Sequence, residues 1–530
     1  MMRSDGPRLA GRTVGRRGAA AAAALIFLMW VAHGALAQAG GPQPVRVTAA
    51  DVERAIERFE PMLLDVMAKT GVPGVAVGVV FQDRLFWSAG YGVREVGKPE
   101  PIDEHTVFQL ASVSKPIAST LVARLVGEGH VAWDDPVVKY KPDFALADPW
   151  VTEHVTIADL FAHRSGLPDH AGDDLEEIGY DRAGILARLR LHELGAFRSD
   201  YAYTNYGLTA AAEAATDAIG MSWEDASRDL LYIPAGMTST TSRFAEYMAS
   251  PNRAVPHVRR PDGTWAPDFQ QKPDPESPAG GVASNVVDMA RWMRLHLSAG
   301  VLDGVRLIDE AALAVTHTPH ALTRPPVGYT ARPNFYGLGW FVDVDDFGQV
   351  RWSHSGSFAL GAATTVNLVP AHGLGIVILT NGFPIGVPES MAELFFDLVF
   401  LGEPRLDWFA LYNAAFEAVL YPEADPDYSV PPADAASHRP LEAYVGTYDN
   451  DYYGPTDIAV GTDGGLVMIM GPARRPFPLG HYSGDTFWFT PPGEFGIVPG
   501  AVHFAFGDDG SPSFTLEGFS PYDHGPFVRR

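Results

Sequence analysis

Apolar residues recur at Val52, Ile56, Phe59 and Leu63, three or four positions apart. That period predicts an amphipathic helix from a capping-box-like Thr48 and Asp51 to about Thr70. The pattern then changes: residues 75–81 and 85–93 are strand-length apolar runs split by Gln82-Asp83-Arg84, which predicts a hairpin. Strand signals return only at 350–354, 362–368 and 374–379, the last two joined by a turn containing Pro370 and Gly373. A helix at about 389–401 closes this unit. The stretch between, roughly 115–300, is mostly helical and is broken repeatedly by Gly and Pro. The economical arrangement is an α/β (α+β) fold: one antiparallel sheet made from both ends of the unit, flanked by the two terminal helices, with a helical subdomain inserted. The active site is expected where sheet meets insert.

The unit spans 45–402. Residues 403–440 hold a short helix and a stretch rich in Pro, Ala and Asp, which reads as a linker. Residues 441–530 carry short alternating runs such as 466–470 and 486–490 between Gly, Asp and Pro, and predict a small all-β antiparallel barrel.

Before the first helix, five arginines (Arg3, Arg8, Arg12, Arg16, Arg17) precede an apolar run at 19–32 and the small-x-small triplet Ala35-Leu36-Ala37. Residues 1–37 therefore read as a secretory signal cleaved after Ala37, the apolar run being too short to stay as a membrane anchor. Export to the periplasm or medium is expected, with no stable membrane span afterwards. Removal of that segment leaves 34 basic and 63 acidic residues, a net charge of about −29. A surface of that sign argues against nucleic acid and anionic membrane as partners.

With 530 residues, 46% of them hydrophobic, the chain has ample core for two domains. It has no cysteine, which excludes a thiol nucleophile, disulfides and thiolate metal sites. His192-Glu193 begins a metalloprotease-like pattern, yet position 196 is Ala where the second histidine belongs. Neither metal nor cofactor is indicated.

The chemistry begins at Ser112-Val113-Ser114-Lys115. Residues i and i+3 of a helix share a face, so Ser112 is a candidate nucleophile and Lys115, once burial lowers its pKa, its base. With 6 lysines and 25 serines in the chain, chance alone supplies roughly 0.3 such tetrapeptides, and an ordinary helix start with a solvated lysine competes. Two further clusters change the balance. Tyr203-Thr204-Asn205, read as extended, places a phenol and an amide on the same side, the phenol to share the proton work and the amide to hold Lys115 or a substrate carbonyl. His354-Ser355-Gly356-Ser357 ends a predicted strand, where Gly356 lets a substrate backbone approach. The amides of Ser112 and Ser357 are then candidates for an oxyanion hole. No Gly-x-Ser-x-Gly elbow exists to support a Ser/His/Asp alternative.

Together these segments resemble the serine β-lactamase and penicillin-binding protein superfamily, in particular its class C β-lactamase-like group, which includes esterases, D-amino-acid peptidases and carboxypeptidases. The resemblance covers about 48–402 and extends to Gly71-Val72-Pro73-Gly74, Phe108-Gln109-Leu110-Ala111, His163-Arg164-Ser165-Gly166-Leu167-Pro168, Gly280-Gly281-Val282 with Asp288, and Tyr336-Gly337-Leu338-Gly339-Trp340. It implies that Ser112 is acylated, that Lys115 and Tyr203 form the acid and base pair, and that Asn205, His354, Gly356 and Ser357 line the substrate site without a cofactor. The His163 segment reads as a buried structural loop beside the site. True β-lactamases of the group carry lysine where this chain has His354, a residue only partly charged near neutral pH. That departure shifts the expected substrate from β-lactams to small esters or D-peptides, cell-wall fragments included. Tyr444-Val445-Gly446-Thr447-Tyr448 resembles the start of a barrel appended to some members, for which packing is the expected role and a Tyr452-Tyr453 lid the rival.

Overall fold

The computed structural model describes residues 46–325, 332–420, 426–495 and 498–530; the proposed signal segment lies outside them. Helices used below are α1 (Ala49–Thr70), α2 (Ser114–Gly127), α3 (Asp173–Glu177), α4 (Asn205–Asp217), α5 (Ser277–Gly280), α6 (Val286–Leu297), α7 (Val387–Phe400) and α8 (Trp408–Leu420). The main sheet has eight strands: β1 (Gly74–Phe81), β2 (Leu85–Gly92), β3 (Ala321–Arg324), β4 (Asn334–Tyr336), β5 (Phe341–Val344), β6 (Val350–Phe358), β7 (Ala362–Val369) and β8 (Leu374–Thr380). Their order is β2-β1-β8-β7-β6-β5-β4-β3, antiparallel throughout. The amino-terminal hairpin thus pairs with the last strand, Val75 facing Thr380 and Phe81 facing Leu374. Gln82 and Asp83 turn that hairpin with φ of 49° and 60°, in the left-handed region that tight hairpins need.

Every residue of β1, β7 and β8 is buried. Phe59 of α1 meets Trp87 of β2 and Phe395 of α7 edge-on, at 6.3 and 5.9 Å. The opposite face is covered by α6, and a side chain at Gly78 would lie 3.1 Å from Val286. Burial on both faces explains why these strands read as unbroken apolar runs instead of alternating ones.

Eight further strands close the carboxy-terminal barrel: β9 (Gly446–Asp449), β10 (Thr456–Val460), β11 (Leu466–Met470), β12 (Arg475–Ser483), β13 (Thr486–Phe489), β14 (Gly500–Phe506), β15 (Pro512–Glu517) and β16 (Phe527–Arg529). Alternation is strict where only the inside is dry: Leu466, Met468 and Met470 are buried, Val467 and Ile469 half-exposed. In the described stretch from residue 426, Tyr428 donates to Glu517 of the barrel at 2.9 Å.

The barrel sits on α3. Tyr452 and Tyr453 donate their hydroxyls to buried Asp174 at 2.6 and 2.9 Å, and Tyr180 returns a hydrogen bond to the Tyr453 carbonyl at 2.9 Å. Burial raises the Asp174 carboxyl to about 6 while the two phenols draw it back. The tyrosine pair is therefore a buried anchor and not an entrance lid. Replacing both by Phe is expected to cost about 1–3 kcal/mol, because an acceptor carboxyl stays buried without donors. Denaturant unfolding of wild type and double variant measures it.

Candidate active site

Ser112 lies in a short 3₁₀ turn, Ala111–Val113, that runs straight into α2. Ala111 holds φ of 48°, a left-handed conformation unusual for a residue with a Cβ, immediately before the serine. The helix α2 is buried on nearly all sides, Lys115 included. This overturns the solvated-lysine alternative. The Lys115 Nζ lies 3.0 Å from Ser112 Oγ, 2.6 Å from Asn205 Oδ1 and 3.1 Å from the Ala279 carbonyl. Burial lowers its pKa to about 8, against the pull of the Glu276 and Asp173 carboxylates.

Asn205 is the first residue of α4, with Thr204 as the helix cap, so the expected extended segment ends one residue earlier. The amide is oriented by its own partner: Nδ2 donates to Asp173 Oδ2 at 2.9 Å, which turns Oδ1 toward the lysine. Lys115 Nζ stands 4.5 Å from the Tyr203 ring centre, and Ser112 is among the groups acting on the Tyr203 phenol. Burial raises the Tyr203 phenol well above its ordinary range. Near neutrality the phenol therefore keeps its proton. His163, with φ of 55°, packs its ring between Tyr203 and Tyr336 at 4.6 and 4.9 Å and accepts from the Thr204 amide at 3.1 Å. Its place is that of a buried prop for Tyr203. Tyr203→Phe is expected to lower kcat by about 10²–10⁴-fold with a smaller change in KM, the cost of losing one proton donor, read by steady-state ester kinetics.

His354, Gly356 and the exposed Ser357 lie on β6, whose edge runs against the Ser112 turn. A Cβ on Gly356 would come 2.3 Å from the Leu110 carbonyl and 2.8 Å from the Ser112 amide nitrogen. The two candidate oxyanion amides thus belong to segments in direct contact. Gly356→Ala would force that contact apart, and a kcat loss of about 10²-fold is expected in a folded variant. His354 donates from Nδ1 to the Ser355 carbonyl at 2.6 Å and accepts at Nε2 from the Tyr336 hydroxyl at 2.8 Å. Burial and the nearby lysine lower its pKa to about 3. The expectation of partial charge is corrected: the imidazole is neutral and offers no cation to a substrate carboxylate.

Three contributors were not read from the sequence. Asp173 orients Asn205, the Ala279 carbonyl holds Lys115, and Glu494, in a 3₁₀ turn of the barrel, accepts from the amides of Ala359 and Leu360 just after Ser357 at 3.0 and 3.4 Å. Among the described residues no group of three or more His, Asp or Glu is placed to hold a metal ion.

Fold and site together define a β-lactamase-like serine hydrolase framework, and sequence comparison agrees. The family model described as Beta-lactamase matches residues 59–395, and the chain belongs to that family. A second model, a domain of unknown function (DUF3471), matches residues 430–524. Penicillin-binding protein 4 of Amycolatopsis lactamdurans is 30% identical over 74% of this chain and 97% of its own length. Unguisins hydrolase ungD of Aspergillus violaceofuscus is 25% identical over 87% of this chain and 88% of its own. Among solved structures, the octameric penicillin-binding protein homologue from Pyrococcus abyssi superposes with a TM-score of 0.57 at 18% identity, over 89% of this chain and all of that one. The chain is a member of a family of serine hydrolases.

Proposed function

We propose that this protein cleaves an ester or amide bond through a covalent acyl ester on Ser112. The observation that carries the reading is the donor count at Lys115. A neutral amine has two N–H bonds and one lone pair. Asn205 Oδ1 and the Ala279 carbonyl, both acceptors only, take the two hydrogens, and the lone pair is left for the Ser112 hydroxyl. Ser112 Oγ then attacks the carbonyl as its proton passes to Nζ, and the oxyanion rests on the Ser112 and Ser357 amides. When the tetrahedral adduct collapses, the bond to the leaving group breaks and that group takes a proton from Tyr203, which Lys115 replenishes. Water next attacks the acyl ester as its proton passes to the same pair, and when the acyl–Oγ bond breaks that proton is returned to Ser112 Oγ, restoring the enzyme.

Small esters rank first as substrates, D-residue peptides and cell-wall fragments second, β-lactams third. The neutral His354 supports that order, since a cation there would favour substrates with a carboxylate. One relative is named a hydrolase and another a penicillin-binding protein, which is why DD-carboxypeptidase or weak β-lactamase activity is the runner-up and a non-turning-over penicillin binder or sensor the rival. Residues 1–37 support export to the periplasm or medium. The test is turnover of a nitrophenyl ester, a D-alanyl anilide and a chromogenic cephalosporin by one preparation. The proposal expects the ester or the anilide to exceed the cephalosporin in kcat/KM; cephalosporin turnover alone contradicts the ranking, and none at all favours the binder.

A further inference from the structure

The Asn205 amide that meets Lys115 is itself held from the solvent side. Asp173 Oδ2 accepts from Asn205 Nδ2 at 2.9 Å and from His170 Nδ1 at 2.8 Å, so four hydrogen bonds run from His170 through Asp173, Asn205 and Lys115 to Ser112 Oγ. One end of this chain is wet and the other dry: the His170 side chain is 52% exposed, whereas Lys115 is buried. Among the described residues His170 is the one cation in contact with the Asp173 carboxylate, whose buried Oδ1 has no partner.

The backbone fixes His170 in this place. Its φ of 58° lies in the left-handed region, which histidine visits more readily than most residues with a side chain. Its amide donates to the Tyr203 carbonyl at 2.7 Å, and its ring stands 5.7 Å from that of Tyr203. The barrel grips the same segment on both sides. Tyr522 donates to the Asp169 carbonyl at 2.7 Å, just before His170, while Tyr452 and Tyr453 hold Asp174, just after Asp173.

Charge runs along the same line. Desolvation pulls the His170 imidazole down, but the Asp173 hydrogen bond and the charges of Asp173 and Asp169 outweigh it and raise it to about 9. At neutral pH the ring is therefore a cation. The other titratable groups that face it are Lys115, Glu276, His163 and Tyr203. Asp173 draws Lys115 toward its charged form, whereas His170 and Lys115 repel each other. A carboxylate already bonded to an imidazolium draws a second cation less than a bare one does.

We propose that His170 is a positioning residue of the reaction, which through Asp173 and Asn205 turns the Lys115 amine toward Ser112 and whose positive charge offsets the Asp173 carboxylate. The inference rests on the acyl-ester reading of Ser112 and adds a residue that acts through Lys115 and not on the substrate. It also gives the docking of the barrel a consequence at the site, since the barrel holds the chain at either end of the His170 to Asp173 segment.

The test follows the rate at which a fluorophosphonate labels Ser112 between pH 6 and 10 in wild type, His170→Asn and His170→Arg, each checked for folding by its melting temperature. Asparagine suits a left-handed backbone, and Arg198 and Arg474 hold φ of 63° and 52° in this chain, so both replacements fit the position. His170→Asn is expected to displace the half-point of the wild-type profile upward by roughly one unit, which slows labelling about tenfold at pH 7 and leaves it equal to wild type at pH 10. His170→Arg keeps the charge and should keep the half-point close to that of wild type. A folded His170→Asn enzyme with an unmoved half-point overturns the inference. So does one slowed by the same factor at every pH, which would make His170 a structural support only, and so does an arginine variant displaced as far as the asparagine one. Should neither variant fold, diethyl pyrocarbonate on the wild type at pH 9 is the second arm. Carbethoxylation mapped to His170 should slow labelling at pH 7 and hydroxylamine should restore it; an unchanged rate in the His170-modified protein overturns the inference. Absence of label on Ser112 in the wild type removes the acyl-ester reading beneath, whereas label with an unmoved half-point removes this inference alone.

Discussion

Ser112→Ala is expected to abolish covalent acyl transfer and to lower kcat for a nitrophenyl ester by about 10⁴-fold or more. The magnitude follows from what remains. Without Oγ the Lys115 amine has nothing to deprotonate, and the oxyanion amides can only assist attack by water. The fold should persist, because Ser112 is half-exposed and its loss removes one contact from Lys115 while Asn205 and Ala279 keep theirs. Unchanged melting together with lost turnover is the expected pair of readings. Retained turnover would place the nucleophile elsewhere.

Lys115→Ala is expected to cost about 10³-fold in kcat/KM and to erase a pH dependence that the wild type should show. The sign is set by the direction of the shift. Burial brings the ammonium down to about 8, and only the neutral amine can accept the serine proton. Activity should therefore climb with pH through 8, by about tenfold between pH 7 and 9, as the neutral fraction grows from about a tenth to about nine tenths. Lys115→Arg should fail as the alanine does, since a guanidinium keeps its proton. His354 cannot produce the same profile, because its imidazole titrates near 3. Activity that survives Lys115→Ala but dies in His354→Ala would reverse these roles.

The residues that lie close in sequence or in regular elements were the legible ones. Ser112 and Lys115 are a helical step apart, and the hairpin strands and barrel strands announce themselves by run length and alternation. Both ends of the first unit were readable as one sheet from their long apolar runs, whereas the strands at 321–324, 334–336 and 341–344, three or four residues each, were too short to be read. The family itself was legible through its ordered motifs, and the chain's membership bears that out.

What escaped has physical reasons. A backbone carbonyl such as that of Ala279 leaves no mark on residue type, although it fixes the lysine. Asp173 and Glu494 are two among 64 acidic residues; the packing of α3 against Asn205 places the first beside the site, and the docking of the barrel places the second near Ser357. Helices such as α3, five residues long, are too short to show a 3.6-residue period. The charge of His354 was misjudged because its neutrality comes from burial and from Lys115, far away in the sequence. Asn205 looked extended because its neighbour Thr204 is, while the helix starts one residue later.

The central claim is that Ser112 is activated by Lys115 and becomes acylated. Its most direct measurement is intact mass and peptide mapping after treatment with a fluorophosphonate, on wild type and on Lys115→Ala. The account predicts one adduct, on Ser112, formed rapidly in the wild type and very slowly in the variant. An adduct on another residue of the folded protein, or equal labelling rates in the two proteins, would contradict it.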